Sequence, residues 1–262
     1  MFVVLFIYVY SHSAHTENEG ANLTLQDIQS NSVRFLKLHL KNYGIFLGPN
    51  EISFDRHCTL IIGMGGTGKT TIVNALANLG PAKGVKPHFK AKSTEMSIDV
   101  VTEGNRSCIK KYSSLIFLSH GFTEFHILGK ESLFADILNN HQLEAVREEA
   151  RKLFCTILFT KPWKIEAHED LNPDIMAAGE RICLGYAYAF AVRKVLNLDL
   201  PVVLDSPYGR LDDMLRNPVR AFLKEQPCQQ IMLGCEHEFD EEDKPHYILD
   251  YIDGYSRVIK NI

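Results

Sequence analysis

The stretch GMGGTGKT, from Gly63 to Thr70, decides the fold class of this 262-residue chain. It fits the pattern G-x-x-x-x-G-K-[ST] and lies between an apolar run, CTLII, and a segment with helical periodicity, TTIVNALANLG. Glycines at these places let backbone N–H groups turn inward around phosphate oxygens, and a helix N-terminus adds positive potential. We therefore predict a phosphate-binding loop between a strand and a helix.

The chemistry of this loop predicts a nucleotide and a magnesium ion as its ligands. Lys69 is expected to reach the β- and γ-phosphates, and Thr70 is expected to ligate Mg²⁺. The residues predicted to hold the phosphates are Gly63, Gly65, Gly66, Thr67, Gly68, Lys69, Thr70 and Thr71.

Composition indicates an ordinary globular protein with enough apolar residues for a buried core. Hydrophobic residues make up 45% and charged residues 23% of the chain, and the formal net charge is −4. No global basic field therefore draws the chain onto nucleic acid, so such contact requires a local patch or a partner. The six cysteines are scattered without a C-x-x-C pair, which is typical of reduced, structural cysteines in the cytoplasm.

The N-terminal segment MFVVLFIYVY is apolar but differs from a membrane anchor or a signal peptide. Its ten residues are fewer than the about 20 that span a bilayer, and the positive n-region of a signal peptide is missing. A mis-assigned start and a packing strand are the alternatives. We expect residues 1–31 to comprise this apolar segment and a polar linker, and disorder of the whole region is one alternative. No contact with a membrane is expected.

From Val33 onward, β-like and helical segments alternate, which predicts the α/β class. We expect residues 32–262 to form a single domain with a helical insertion at about 130–175. The run PVVLD predicts a buried strand, and Asp253-Gly254 predicts the turn of a C-terminal hairpin.

The stretch LPVVLDSPYGRLDD, from Leu200 to Asp213, predicts the metal side of the site. Asp205 ends an apolar run, where a carboxylate can bind Mg²⁺ through water. In ATPases of this kind a glutamate usually follows and accepts a proton from the attacking water. Here Ser206 follows.

A third motif, MAAGERICLGYAYAF, begins at Met176 and heads a predicted helix. The phosphate loop, MAAGER, PVVLDSP and GRLDD in this order resemble an ABC-type ATPase head of the SMC/RecF superfamily. The resemblance implies a P-loop NTPase fold with a mixed sheet flanked by helices. With NYGIFLGPNEISF, from Asn42 to Phe54, the chain most resembles the ATPase of the DNA phosphorothioation system and related phage-defence ATPases.

The resemblance implies an ATP-sandwiched homodimer, in which the signature turn of one subunit closes over the γ-phosphate bound to the other. That turn corresponds to Ala178, Gly179 and Glu180. Leu211 and Asp212 correspond to the D-loop at the dimer interface. His120 falls where the family usually has a glutamine that ligates magnesium, although an ordinary loop histidine is an equal alternative.

Several departures from the family pattern bear on hydrolysis. Ala177 stands at the signature serine, Gly65 at a frequent phosphate-loop asparagine, and Cys235 where the family often has a switch histidine. We predict Lys69 and Asp205 as catalytic residues, with Glu236 or His237 as replacements for the missing glutamate. The alternative for the last two is a solvated acidic loop, so slow hydrolysis is expected.

The spacing of the motifs limits what the insertion can be. His120 and Met176 are about 56 residues apart, and two antiparallel helices of about 15 residues project only about 20 Å. This is a head with a short stub in place of a long coiled coil. Six lysines have two interpretations: a basic rim that contacts the DNA backbone, or a face exposed to solvent. They are Lys83, Lys86, Lys90, Lys92, Lys110 and Lys111.

Three functions compete at this stage. The first is an ATP-dependent, dimerising ATPase that acts in DNA repair or anti-phage defence and relays its nucleotide state to an effector protein. The second is a hydrolysis-deficient regulatory or scaffold subunit, which Ser206 and Ala177 favour. The third is a small-molecule P-loop kinase, which gives no reason for MAAGER or GRLDD.

Overall fold

The structure, a computed structural model, describes residues 2–8, 33–77, 88, 90–91, 93–102, 105–109, 115–121, 140–158, 171, 176–197, 199 and 201–261. In chain order the strands are β1 Phe2–Tyr8, β2 Val33–Lys41, β3 Pro49–Ser53, β4 Cys58–Gly63, β5 Glu95–Thr102, β6 Asn105–Ile109, β7 Leu115–Gly121, β8 Val202–Asp205, β9 Gln230–Gly234, β10 Tyr247–Ile252 and β11 Tyr255–Lys260. The helices are α1 Lys69–Ala77, α2 Asn140–Ile157, α3 Ala178–Val195, α4 Asp213–Lys224 and a 3-10 helix, Glu236–Glu238.

A seven-stranded mixed sheet forms the larger layer, in the order β11-β10-β4-β9-β8-β1-β7. Strands β10, β4, β9 and β8 pair in parallel. Every residue of β8 and of β9 is buried, which explains their largely apolar sequences. Because these strands are parallel, the carboxyl ends of β4, β8 and β9 meet at one edge of the sheet.

The N-terminal strand β1 lies inside this sheet, antiparallel to both of its neighbours. Phe2 pairs with Asp205 of β8 on one side and with Gly121 of β7 on the other. The apolar N-terminal segment is therefore a packing strand, one of the two alternatives that the sequence left open. The predicted linker, residues 9–32, lies outside the described residues.

A smaller antiparallel sheet, in the order β3-β2-β5-β6, packs against the larger one. A buried glutamine, Gln229, joins the two layers at the start of β9. Its Oε1 accepts the N–H of Phe35 at 2.8 Å, and its Nε2 donates to the carbonyls of Phe35 and Asp55, each at 2.8 Å. Three satisfied hydrogen bonds in a buried place fix the relative position of the sheets.

The helices differ in how much of their surface is buried. Helix α3 buries residues around its whole circumference, as expected of a core helix. Helix α2 packs on α3 through Val146, Ala150 and Phe154. It lies within the predicted insertion, whose remainder, residues 130–139, 159–170 and 172–175, lies outside the described part. Among the described residues no helix is long and apolar enough to cross a membrane.

The α/β class and most of the individual elements are confirmed. The C-terminal hairpin turns at Asp253 and Gly254, whose φ angles of 52° and 87° are those of a type I′ turn. The predicted strand PVVLD is β8, and the predicted helix before it is α3.

Candidate functional site

The phosphate loop connects β4 to α1 and is shaped by positive backbone angles. Gly66 and Gly68 have φ of 82° and 99°, which residues with a Cβ adopt only under strain. The N–H and Oγ1 of Thr67 both donate to the carbonyl of Met64, at 3.3 and 2.8 Å. Gly65 is exposed. The predicted loop is therefore present, and its own backbone closes the turn.

The loop Asn42–Gly48 packs against the phosphate loop and the start of α1. A Cβ on Gly68 would lie 2.8 Å from Ile45 Cγ2 and from Phe46 Cζ. A Cβ on Gly44 would lie 2.8 Å from Thr71 Cγ2. The methyl group of Thr71 therefore packs on this loop at the first turn of α1, and the backbones approach each other closely.

The Lys69 ammonium lies at the mouth of the phosphate loop. Its Nζ donates to the carbonyls of Gly63 and Met64 at 2.7 and 2.9 Å, and to Cys235 Sγ at 3.5 Å. All three partners are neutral acceptors. A phosphate oxygen would form a stronger, charge-assisted hydrogen bond, so Lys69 is placed to exchange these partners for a phosphate.

Asp205 lies near Lys69 and Thr70 at the start of α1, close enough for both to lower its pKa. Its side chain is 6% exposed. Burial raises the pKa of the Asp205 carboxyl above its ordinary value, against smaller lowering effects of Lys69 and Thr70. A cation beside this carboxylate would reduce the cost of its ionisation in the buried place.

The Thr70–Asp205 pair fits a magnesium ion. Mg²⁺ prefers oxygen ligands, commonly one or two from protein, with water and phosphate oxygens completing the octahedron. The neighbouring Thr70 hydroxyl and Asp205 carboxylate are such a pair. Among the described residues no group of three or more His, Cys, Asp or Glu forms a metal cage, which suits an ion shared with a nucleotide.

His120 lies on β7, which is separated from β8 by β1. Val3 pairs with His120 on one side and with Leu204 on the other. Two interstrand spacings amount to about 9.6 Å, so the backbone at His120 lies about that far from the strand of Asp205. The role of His120 as a magnesium ligand stays a prediction that this strand order makes harder to satisfy directly.

Ser206, where the glutamate is missing, has a backbone φ of 54°. Its N–H donates to the carbonyl of Leu233 at 2.6 Å, and the next carbonyl, of Pro207, accepts from the Tyr186 hydroxyl at 2.8 Å. A non-glycine residue in this region is strained and is held by its surroundings. The start of the loop 206–212, directly after Asp205, is therefore held in place by β9 and α3.

The acidic segment after β9 contains a residue that sequence reasoning missed. Glu236 and His237, the predicted bases, are exposed. Glu238 is only 4% exposed, and its Oε1 accepts the N–H of Cys235 at 3.0 Å. The three-residue spacing from Cys235 to Glu238 is that of a capping box, and this signal could have singled out Glu238 from the charge run.

The predicted signature turn forms the N-terminus of α3. Glu180 is buried, and its Oε2 accepts the N–H of Ala177 at 3.0 Å. Ala178 is exposed. A Cβ on Gly179 would lie 2.8 Å from Leu215 Cδ1, so the turn packs closely on α4. Glu180 thus shapes this turn within its own chain, and its contact with a nucleotide stays a prediction.

The predicted D-loop adjoins this turn. Leu211 is buried, and Asp212 caps α4 by accepting the N–H of Leu215 at 2.9 Å. Of the predicted basic rim only Lys90 lies in the described part. Its Nζ donates to the carbonyl of Asp253 at 3.3 Å and lies 5.8 Å from the centre of the Tyr255 ring.

A phosphate loop after one parallel strand and a buried aspartate at the end of another define a P-loop ATPase. The chain has the fold of an ABC-type ATPase head of the SMC and RecF kind. The family AAA_23, described as an AAA domain, matches residues 37–149. No curated protein sequence matches the chain.

Three solved structures illustrate the likeness. An SMC head bound to the C-terminal winged-helix domain of ScpA is 17% identical, with a TM-score of 0.59 and coverage of 87% of this chain and 97% of that one. The SMC head domain from Thermotoga maritima is 17% identical, with a TM-score of 0.53 and coverage of 87% and 99%. The recombination mediator protein RecF is 9% identical, with a TM-score of 0.52 and coverage of 88% and 100%. Identities this low concern the fold alone, and together with the family match they support an ATP-binding ATPase.

Proposed function

We propose that this protein binds ATP with Mg²⁺ and dimerises around the nucleotide, as an SMC/RecF-like ATPase in DNA repair or anti-phage defence. One observation carries the proposal: Lys69, Thr70 and Asp205 converge at the edge where β4 and β8 end. Lysine for phosphate and a hydroxyl–carboxylate pair for magnesium are complementary to a nucleoside triphosphate.

Dimerisation is supported by what the site leaves exposed. Met64, on the phosphate loop, is 80% exposed, and Met214, directly after the D-loop, is 56% exposed. Exposed apolar surface beside a binding site is typical of a surface that a partner covers. A second copy of the chain, placing its signature turn over the nucleotide, would cover both.

The further assignments extend this core proposal. We assign slow hydrolysis, because Ser206, at the position of the usual glutamate, cannot act as a strong base. The partner would be an effector protein that responds to the nucleotide state. DNA would contact the basic rim, and the protein would be cytoplasmic. Closeness to the ATPase of the DNA phosphorothioation system is part of the same proposal.

A second candidate is a nucleotide-held scaffold subunit that hydrolyses ATP too slowly to cycle. Ser206 and Ala177 favour it, because the first replaces the usual base and the second removes a hydroxyl from the signature turn. The two functions differ in turnover but share ATP binding and dimerisation.

The test is ATP affinity, oligomeric mass and ATP turnover of the purified protein, with and without Mg²⁺. Asp205→Asn preserves the shape of the side chain but removes the charge, so it should lose the magnesium dependence of binding. Asp253→Asn, an exposed turn aspartate, is the matched control. Failure of the wild-type protein to bind ATP would refute the proposal, and binding without turnover would select the scaffold.

A further inference from the structure

Glu238 is a buried carboxylate with one oxygen left over. Its Oε1 accepts the N–H of Cys235, but Oε2, which has less than 1 Å² of exposed surface, has no hydrogen-bond partner in the part of the chain that the structure describes. The capping interaction explains only Oε1. A buried polar atom without a partner is unusual in native proteins and calls for an explanation, such as a catalytic role or a bound water.

The position of Glu238 links it to both halves of the ATP site. Its carboxylate is close enough to Asp205 to raise the pKa of that residue further. Cys235, whose N–H holds Oε1, also contacts Lys69 Nζ through Sγ at 3.5 Å. One residue therefore connects the phosphate-binding lysine with the Glu238 carboxylate, at the edge where β4, β8 and β9 end.

The surroundings hold Glu238 firmly in this place. The neighbouring Phe239 ring packs edge-on against Tyr208, with ring centres 5.5 Å apart. The guanidinium group of Arg220 lies 5.2 Å from the centre of the same Tyr208 ring and pairs with Asp240. A catalytic group needs this kind of support from packed neighbours.

The Oε2 atom of Glu238 lies beside a glycine of the loop 206–212. A Cβ on Gly209 would lie 3.1 Å from Oε2, while Gly209 itself is exposed. This glycine belongs to the loop that begins with the strained Ser206. Because glycine has no side chain, only the backbone of this loop covers Oε2 on that side.

We propose that Glu238 is the general base that replaces the glutamate missing at position 206. A water O–H proton passes to Oε2 as the water oxygen bonds to the γ-phosphorus. The bond from that phosphorus to the bridging oxygen breaks, and its electron pair stays on ADP. Phosphate and ADP leave, and Glu238 releases the proton to solvent. The inference rests on the proposed ATPase function.

The decisive variant is Glu238→Gln, because its amide oxygen still accepts the Cys235 N–H while the proton acceptor is lost. We expect turnover to fall about 10²–10⁴-fold, with unchanged ATP affinity and urea midpoint. The isolated variant should retain intact ATP, whereas the wild type should carry ADP. Glu241→Gln, at an exposed glutamate of the same loop, is the matched control and should behave as wild type.

A second variant, Gly209→Ala, covers the case in which Glu238→Gln does not fold. Its methyl group would crowd Oε2, so turnover should fall about tenfold through misplacement of the base, again with unchanged ATP affinity. Glu236→Gln and His237→Ala are measured in parallel, since they remove the bases predicted from sequence.

The outcomes separate this inference from the proposed function. Normal turnover of folded Glu238→Gln, or loss of turnover in Glu236→Gln or His237→Ala instead, overturns the role of Glu238 and leaves the ATPase intact. ATP binding by the wild type without any turnover overturns the role of Glu238 and leaves the scaffold. Absence of ATP binding overturns both.

Discussion

The phosphate loop and the loop 206–212 lie at the same edge of the sheet but are held in different ways. Within the phosphate loop, Thr67 bonds back to the nearby carbonyl of Met64. The loop 206–212 is held from distant parts of the chain, by Tyr186 of α3 and by the ring of Phe239. The first is therefore closed by hydrogen bonds within its own stretch, whereas the second depends on residues of α3 and of the segment after β9.

The largest expected effect comes from breaking the phosphate loop alone, with Lys69→Ala. We expect ATP affinity to fall about 100-fold, because hydrogen bonds from a charged donor contribute about 1.5–3 kcal/mol and about 1.4 kcal/mol is a factor of ten. Isothermal titration calorimetry measures this, with Lys244→Ala at an exposed lysine as control. Equal affinities for both variants would contradict the assigned role of Lys69.

The next effect comes from releasing the second loop, with Arg220→Ala. Arg220 is buried and pairs with Asp240 and Asp243. Loss of a buried pair costs about 3–5 kcal/mol, and the partial exposure of the aspartates reduces this to about 2 kcal/mol. Urea unfolding measures the loss. Arg220→Lys, which keeps the charge but not the planar group, should fall between. An accompanying loss of ATP affinity would show that the two loops are coupled.

A smaller effect is expected from Tyr186→Phe, which removes the hydroxyl bonded to the carbonyl of Pro207. The free energy of unfolding should fall by about 1 kcal/mol, the usual contribution of such a hydrogen bond. Chemical unfolding measures this. Tyr188→Phe, at a half-buried tyrosine two residues further along the same helix, is the control and should change stability less. Equal losses in the two variants would argue against the Pro207 contact.

The pH dependence of stability offers a separate test of the buried Asp205. Burial raises its pKa above 3.8, so the folded protein keeps this proton at a pH where the unfolded chain has lost it. Stability therefore falls as the pH rises from 3.8 through the raised pKa. Asp205→Asn lacks this fall, so without nucleotide its stability relative to wild type should increase over that window. Urea midpoints of both proteins are measured across the acidic range. A difference between the variant and the wild type that did not change with pH would contradict the prediction.

The smallest effect is expected at Gly65, where the sequence departs from the family pattern. A Cβ there would meet nothing within 4 Å in the described structure, and its φ is not positive. Gly65→Asn should therefore change the free energy of unfolding by less than about 0.5 kcal/mol. Gly68→Asn is the contrasting variant, since a side chain there would contact Phe46. Similar stability of the two would mean that the loop adapts more than its contacts indicate.

The comparison also explains how much the sequence could predict. The phosphate loop was predictable down to Lys69 and Thr70, because its shape follows from glycines and spacing within one short stretch. Glu238 was not, because its carboxyl group is buried beside Gly209, which is distant from it in sequence. In the charge run EHEFDEEDK only the capping spacing distinguishes it from its exposed neighbours.

Strand pairing between distant segments escaped the sequence for a similar reason. The apolar run Phe2–Tyr8 was compatible with a packing strand, but nothing local indicates its partners, β7 and β8. The position of His120 depends on that pairing. Its distance from the strand of Asp205 therefore became visible only in the assembled sheet.

The place of β1 also has a consequence for how the chain folds. Phe2 pairs with Asp205, so β1 can pair with β8 only after the about 200 residues between them have been synthesised. At about 5–20 residues per second this takes about 10–40 s, and during this time β7 is the only one of the two neighbours of β1 that can pair with it. Closure of such distant contacts is slow in folding generally. The edge of the sheet that carries Asp205 is therefore completed late in synthesis, and a chaperone that shields residues 2–8 would act before that edge has formed.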